Sequence, residues 1–351
     1  MSVAATTPTG VFAAGVFVTG GAGFIGSHLV RALLARGERV TVYDNLSTGL
    51  RNNVPAGAAF VQGDVTDAAA LEGAVKGHAR VVHLAARVAI RSSYEFAVED
   101  THTNVVGTAA LMRAAQRAGG VQRVVAASSM AIYADSPNRQ PIDEQHPAHP
   151  ISPYGVSKLA LEQLVHGMAQ AAGIGSTVLR FFNTYGPGQA LSPYVGVVTI
   201  FANALRDGRA PTIFGDGEQC RDFVHVADVT QALLLALGAP QAPGATYNVG
   251  TGIATSVNQL YALVRDALCE ARWCEASWCE MRSVSRSMRC TRRPCRASCA
   301  TRSPTSAASA QRSAMCRHTS SKTRCRPWCA KSRAPDAHCL SCITRPDSRP
   351  A

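Results

Sequence analysis

Val18-Thr-Gly-Gly-Ala-Gly-Phe-Ile-Gly26 lies between a Val-rich run, Val16–Thr19, and an amphipathic pattern over Ile25–Arg36. Gly20, Gly23 and Gly26 space as G-x-x-G-x-x-G. Glycines at that spacing permit a tight turn, close backbone approach to a pyrophosphate, and close packing of the following helix on its strand. The helix opening at Phe24 and Ile25 then points unpaired N–H groups and its positive dipole end at an anion. A glycine pattern alone is weak; its place between a strand and a helix gives it weight.

Working outward, β-rich runs recur at Arg39–Asp44, Ala59–Gly63, Arg80–Leu84, Arg123–Ser128 and Thr177–Phe181. Helical patterns fall between them, among them Asn104–Ala118 and Gly155–Ala171. Strand–helix alternation with near-continuous apolar strands predicts an α/β fold: a Rossmann doubly wound parallel sheet covered on both faces. Ligands of such sheets bind beyond the carboxyl ends of the strands, where strand order reverses.

Asp44, with Asn45 after it, ends the second run, 18 residues after Gly26. A carboxylate there accepts both ribose hydroxyls and repels a 2′-phosphate, which favours NAD over NADP. Asp64 and Val65 follow the third run, where the carboxylate either reaches an adenine amino group or serves its own turn. Leu84, Ala85 and Ala86 close the fourth run with residues that suit a cofactor's close approach. His83 beside them reads as packed or hydrogen-bonded rather than catalytic.

Tyr154 and Lys158 stand four apart behind Pro153, a residue suited to a helix start, so they share a helix face. A phenol is a poor base near neutrality, with an ordinary pKa of about 10. A nearby ammonium and an oxidised nicotinamide favour the phenolate, so Tyr154 is expected to have a lowered pKa and to act as general base. Lys158 also suits the nicotinamide ribose, and Ser129, ending the fifth run, suits the same substrate hydroxyl.

These residues resemble the extended short-chain dehydrogenase/reductases, in particular their nucleotide-sugar 4-epimerases, from about Gly15 to Leu268. The motifs are Thr19–Gly26 (T-G-G-A-G-F-I-G), Asp44–Gly49 (D-N-L-S-x-G), Ser128, Ser129 and Tyr133 (S-S-x-x-x-Y), and Ser152–Lys158 (S-P-Y-x-x-S-K). Arg180–Pro187 matches R-x-F-N-x-Y-G-P, and Gly215–Phe223 matches G-D-G-x-x-x-R-D-F. The resemblance implies Ser129, Tyr154 and Lys158 as the catalytic set, Asn183 at the diphosphate region of a UDP-sugar, and Arg221 as a phosphate clamp. A salt bridge from Arg221 to Asp222 or Asp228 is the alternative. The family's 4,6-dehydratases carry Thr-Asp-Glu where this chain has Ser129-Met130-Ala131, which favours 4-epimerisation. A decarboxylase or reductase of sugar nucleotides and a catalytically silent NAD-binding protein stay open beside it. The resemblance further implies a homodimer packed through Asn104–Ala118 and Gly155–Ala171.

Composition divides the chain near Leu268. The stretch before it holds 18 Lys+Arg and 18 Asp+Glu; the stretch after it holds 17 and 5, and so carries the whole net charge of +12. The latter also holds 11 of the 12 cysteines and all three tryptophans, but no Phe or Tyr and few branched aliphatics. The expected organisation is a Rossmann domain over 1–185, a partial, truncated substrate region over 186–268, and a Cys/Arg/Ser-rich tail over 269–351. That tail has too little apolar surface to offset ordering entropy, and disorder or poorly packed structure is expected from about Cys269 to Ala351. Its cysteines lack zinc-finger spacing, so no metal and no nucleic-acid partner is expected. The preferred reading is a shifted frame: plausible GC-rich codons for Ser313–Lys331, read with each codon's third base joined to the next codon's first two, can yield G-Y-V-P-A-H-Q-L-E-D-A-L-P-A-L-V-R-E, which resembles the family's missing C-terminal elements. No apolar run suits a bilayer and no signal peptide is seen, so a cytoplasmic protein is expected.

Overall fold

The computed structural model describes residues 15–88, 92–133, 140–190, 196–239 and 244–283, with 271–283 as backbone only. Eleven strands are found there: β1 Gly15–Thr19, β2 Val40–Asp44, β3 Ala59–Gln62, β4 His78–His83, β5 Arg123–Ser129, β6 Gly175–Phe181, β7 Asn183–Tyr185, β8 Cys220–Arg221, β9 Phe223–His225, β10 Ala245–Val249 and β11 Thr255–Ser256. The helices are α1 Phe24–Ala35, α2 Ala68–Ala74, α3 Ala97–Thr101, α4 Gly107–Ala118, α5 Pro153–Ala171, α6 Val197–Arg206, α7 Val226–Gly238 and α8 Val257–Ser283. A π-helical turn, His102–Val106, joins α3 to α4.

Seven strands form one parallel sheet in the order β10-β6-β5-β4-β1-β2-β3. The order reverses between β1 and β4, where Thr19 pairs with His83 and a crevice is expected. Alternation along β1 builds both faces: Val16 and Val18 join one buried cluster with Leu29, Leu33, Val229 and Leu233, while Phe17 joins another with Leu71, Leu111, Leu161 and Val165. Helices α1 and α7 thus cover one face, and α2, α4 and α5 the other. Two short pairs lie outside the sheet, β7 with β9 in parallel and β8 with β11 in antiparallel.

The Rossmann layer draws its seventh strand, β10, and helix α7 from beyond residue 185, so it is not confined to 1–185. Contacts divide the chain into two units, Met1–Leu268 and Cys269–Ala351. Of the second, residues 269–283 are helical, a departure from the disorder expected for 269–351. The physical reason is local: Cys269–Ser283 contains no Gly or Pro, and eight of its 15 residues are Ala, Glu, Arg or Met, which favour helix. Residues 284–351, to which the rest of that expectation applies, lie outside the described residues. Among the described residues no helix is long and apolar enough to cross a membrane, and no group of His, Cys, Asp and Glu suits a metal ion.

Candidate active site

The glycine turn closes against the sheet. Gly20 has φ +71°, and a Cβ on it would meet the Ala85 backbone nitrogen at 2.6 Å. Gly23 caps α1 in an extended conformation and donates its N–H to the Gly20 carbonyl at 3.1 Å. A Cβ on Gly26 would clash with that same carbonyl, so only glycine lets α1 begin this close to β1. Phe24 and Ile25 open the helix behind the cradle.

Asp44 is buried at the end of β2 and is held by two backbone donors, Ala22 N to Oδ2 at 3.0 Å and Leu46 N to Oδ1 at 2.8 Å. Each oxygen keeps a lone pair for a ribose hydroxyl. Leu46 has φ +61°, a left-handed conformation uncommon for a side-chain-bearing residue, and it presents its N–H to Asp44. Asn45 is exposed and donates to Asp64 Oδ2 at 2.7 Å. Thr66 supplies Asp64 Oδ1 with its N–H and its hydroxyl. Burial pushes Asp64 upward, yet the bonds from Thr66 and Asn45 outweigh it and hold the carboxyl below its ordinary range. These bonds brace the turn after β3, with Asn45 tying it to the β2 end, and Val65 packs against Gly107. Leu84, Ala85 and Ala86 are half-buried beside the cradle; Leu84 and Ala85 donate backbone N–H groups to the Thr19 carbonyl and hydroxyl.

His83 lies fully enclosed between the Thr19 and Thr108 hydroxyls, at 2.8 and 3.0 Å. Burial, with the Lys158 charge adding to it, pushes its pKa down to about 3, so it is a neutral, hydrogen-bonded core residue.

Helix α5 starts with Ser152, whose hydroxyl accepts the Gly155 N–H at 3.1 Å, and with Pro153. Gly155 abuts the Ala131 carbonyl so closely that a Cβ would not fit. This approach seats Tyr154 beside the end of β5, where its hydroxyl is hydrogen-bonded to Ser129. Ser129 also accepts the Ala131 N–H at 3.2 Å. Lys158 is 2% exposed and donates to the Ala127 carbonyl at 3.0 Å, with its nitrogen 5.9 Å from the Tyr154 ring centre. The structure thus brings Ser129, Tyr154 and Lys158 together.

The charge state differs from the expectation of a lowered phenol. Burial pushes Tyr154 up to about 12; the Ser129 bond pulls it down and Asp100 adds to the rise. Burial also brings Lys158 down to about 8, against the pull of Glu162. Enclosure, which sequence cannot reveal, is the first cause of the rise.

Asn183 on β7 donates to the Asp222 carbonyl at 3.0 Å and approaches the Met130 sulfur at 3.5 Å, next along the chain from Ser129. Arg221 on β8 is exposed and donates to the Cys220 carbonyl at 2.7 Å; no ion pair to Asp222 or Asp228 is found among the described residues. Asp222 instead accepts from Thr251 and Gly252.

Asn104 escaped sequence reasoning. It is fully buried in the π-turn, where it accepts the Arg87 N–H at 2.9 Å and donates to the Arg87 carbonyl at 3.1 Å and to Ser157 at 3.0 Å. One extra residue per turn re-aims such a side chain, and these bulges gather at functional sites. A polar residue inside an otherwise apolar helical face was the available signal.

A glycine turn at a helix start, a buried carboxylate at the end of β2 and a Ser–Tyr–Lys set around one strand-order reversal are the parts of a dinucleotide-dependent α/β enzyme. The chain belongs to the NAD dependent epimerase/dehydratase family, whose family model matches residues 16–250. Its cofactor is NAD. It is 40% identical over 251 residues to a putative UDP-glucose 4-epimerase of Methanocaldococcus jannaschii, covering 71% of this chain and 81% of that one. The crystal structure of a UDP-glucose 4-epimerase with UDP-glucose from Thermotoga maritima is similar at 38% identity and a TM-score of 0.69, covering 72% of this chain and 82% of that one. A Thermus thermophilus UDP-glucose 4-epimerase in complex with NAD is similar at 39% identity and 0.68, with the same coverage.

Proposed function

We propose that this chain is an NAD-dependent 4-epimerase of a UDP-hexose. The observation that carries the reading is the Ser129–Tyr154–Lys158 set with Met130 and Ala131, and no acid, directly after Ser129. Ser129 orients the sugar's 4-hydroxyl and Tyr154 takes its proton. NAD, held by the residues named below, would supply the hydride acceptor. The sugar passes through a 4-keto stage, turns its other face, and regains the hydride, while Tyr154 returns the proton. Without a carboxyl group at 130 or 131, nothing there expels a C6 hydroxyl.

Gly20, Gly23 and Gly26 would cradle the pyrophosphate, with Phe24 and Ile25 at the helix start. Asp44 and Asn45 would hold the adenosine ribose, and Asp64 and Val65 the adenine edge. Leu84, Ala85 and Ala86 would line the nicotinamide half, with Lys158 on its ribose. Asn183, beside Met130, and Arg221 would hold the UDP portion. The homodimer reading is supported by Val98, Val106, Ile151 and Val156, all exposed on neighbouring elements. A cytoplasmic location belongs to the same reading.

A second reading is a catalytically impaired NAD-binding protein. The family match stops at residue 250, and similar chains are covered to 81–82%. The stretch past Leu268, read as a frame-shift product, would then replace part of the sugar pocket. A coupled assay with UDP-galactose and UDP-N-acetylgalactosamine decides between them. Conversion supports the epimerase. Retained NAD binding without conversion supports the impaired protein, and accumulating NADH points to a net oxidation instead. Sequencing the gene over codons 265–295 tests the frame shift directly.

A further inference from the structure

Tyr154, Lys158 and Glu162 follow at i, i+4 and i+8 on one face of α5, and all are buried. Glu162, 2% exposed, has no water to solvate its carboxylate. Arg180 on β6 supplies that solvation: Nε donates at 3.0 and 3.3 Å and Nη2 at 2.7 Å. The Arg180 fork then continues, with Nη1 donating to the Tyr133 hydroxyl at 2.6 Å. Tyr133 donates to Asn248 Oδ1 at 2.8 Å, which fixes the end of β10. One connected set of bonds therefore ties the catalytic helix to the turn that leaves Ser129.

A buried ion pair is costly to assemble and is not by itself a stability device. Its placement suggests another use. Lys158 sits one helical turn before Glu162, and its one hydrogen bond among the described residues is to the Ala127 carbonyl, a neutral acceptor. We propose that Glu162, clamped by Arg180, is a positioning residue that keeps the Lys158 side chain as an ammonium beside Tyr154. This deepens the epimerase reading and rests on Lys158 serving there as a cation.

The charged and titratable groups facing Lys158 support the assignment. Tyr154 and Glu162 share its helix, and His83 faces it from β4. Asp100 of α3 acts on Tyr154 and is itself paired with Arg87 at 2.9 Å. Arg180 stands behind Glu162. Burial draws Lys158 down to about 8, and Glu162 is the group that opposes this.

The chain has four lysines, Lys76, Lys158, Lys322 and Lys331, so lysine-selective carbon-13 labelling resolves them by NMR, with Lys158→Arg giving the assignment. The expected result is a Lys158 titration midpoint that falls by about one pH unit or more in Glu162→Gln and is largely restored in Glu162→Asp, which keeps the charge. An unchanged midpoint in Glu162→Gln overturns the proposal. If Glu162→Gln does not fold because Arg180 is left unpaired, the double variant Glu162→Gln/Arg180→Gln removes both buried charges and is read the same way. The titration needs no turnover, so its failure is distinct from failure of the epimerase assay.

Discussion

The His28 imidazole on α1 is hydrogen-bonded through Nε2 to the Pro187 carbonyl at 2.9 Å, joining the helix behind the glycine turn to the segment after β7. A carbonyl only accepts, so the proton resides on Nε2. Burial lowers the His28 pKa, against the bond to Pro187, which keeps the ring neutral near pH 7. His28→Phe keeps the ring contact with Phe24 and loses this bond. The expected cost is about 0.5–1.5 kcal/mol in urea unfolding. A variant as stable as the parent would show that the bond adds nothing.

Gly26→Ala places a methyl group against the Gly20 carbonyl. Either α1 or the glycine turn must shift. The expected destabilisation is about 1–3 kcal/mol, and NAD affinity, read by calorimetry, should fall by about tenfold or more. Unchanged affinity would remove the turn from the cofactor site.

Tyr154→Phe keeps the ring in its enclosed place and deletes the hydroxyl that meets Ser129. If the chain turns over UDP-sugars, kcat should drop by about 10²–10⁴-fold, the range for a lost general base. NAD binding should stay close to that of the parent. Residual kcat near the parent's would assign the base elsewhere.

His83 gives the fold an acid-sensitive contribution. Its folded pKa, about 3, lies below the ordinary value of 6.5. The unfolded chain therefore binds a proton that the folded chain refuses. The contribution is complete above about pH 6.5 and is lost as pH falls toward the folded value, by about 1.4 kcal/mol per pH unit per proton. His28, His166 and His225 are lowered in the same direction. Urea unfolding of the parent and of His83→Gln, compared from about pH 7 to about pH 4, should show a shallower slope for the variant. Parallel slopes would count against a neutral, enclosed imidazole.

Much of this architecture was legible before any coordinates. The six runs read as strands lie within two residues of β1 to β6 at every end. For β1, β2, β4, β5 and β6 apolar continuity marks a strand largely buried on both faces; β3 is an exposed edge strand, and its short β-rich run ending at Gly63 was the signal. Strand β10 escaped notice. It is an edge strand whose Thr246 and Tyr247 keep some contact with solvent, so its apolar pattern is diluted. The cradle glycines, Asp44 and the Tyr154–Lys158 pair were readable because their spacing is local. Asn104 and the Arg180–Glu162 pair were not, since their meaning depends on partners brought from other elements. The upward push of burial on the Tyr154 phenol was not legible for a related reason: helix spacing shows who stands beside a group, and not how thoroughly water is kept from it.

The shared face of α5 has a mechanical consequence. A rigid rod carrying Tyr154, Lys158 and Glu162 in one line gives the chemistry a single adjustable coordinate, the rod's rotation about its own axis. A residue inserted between 154 and 162 would swing one end of that line by about 100° relative to the other. Changes of side chain along α5 can be absorbed one at a time, but a change in its length cannot. The nine residues from Tyr154 through Lys158 to Glu162 are thus an indivisible unit of inheritance.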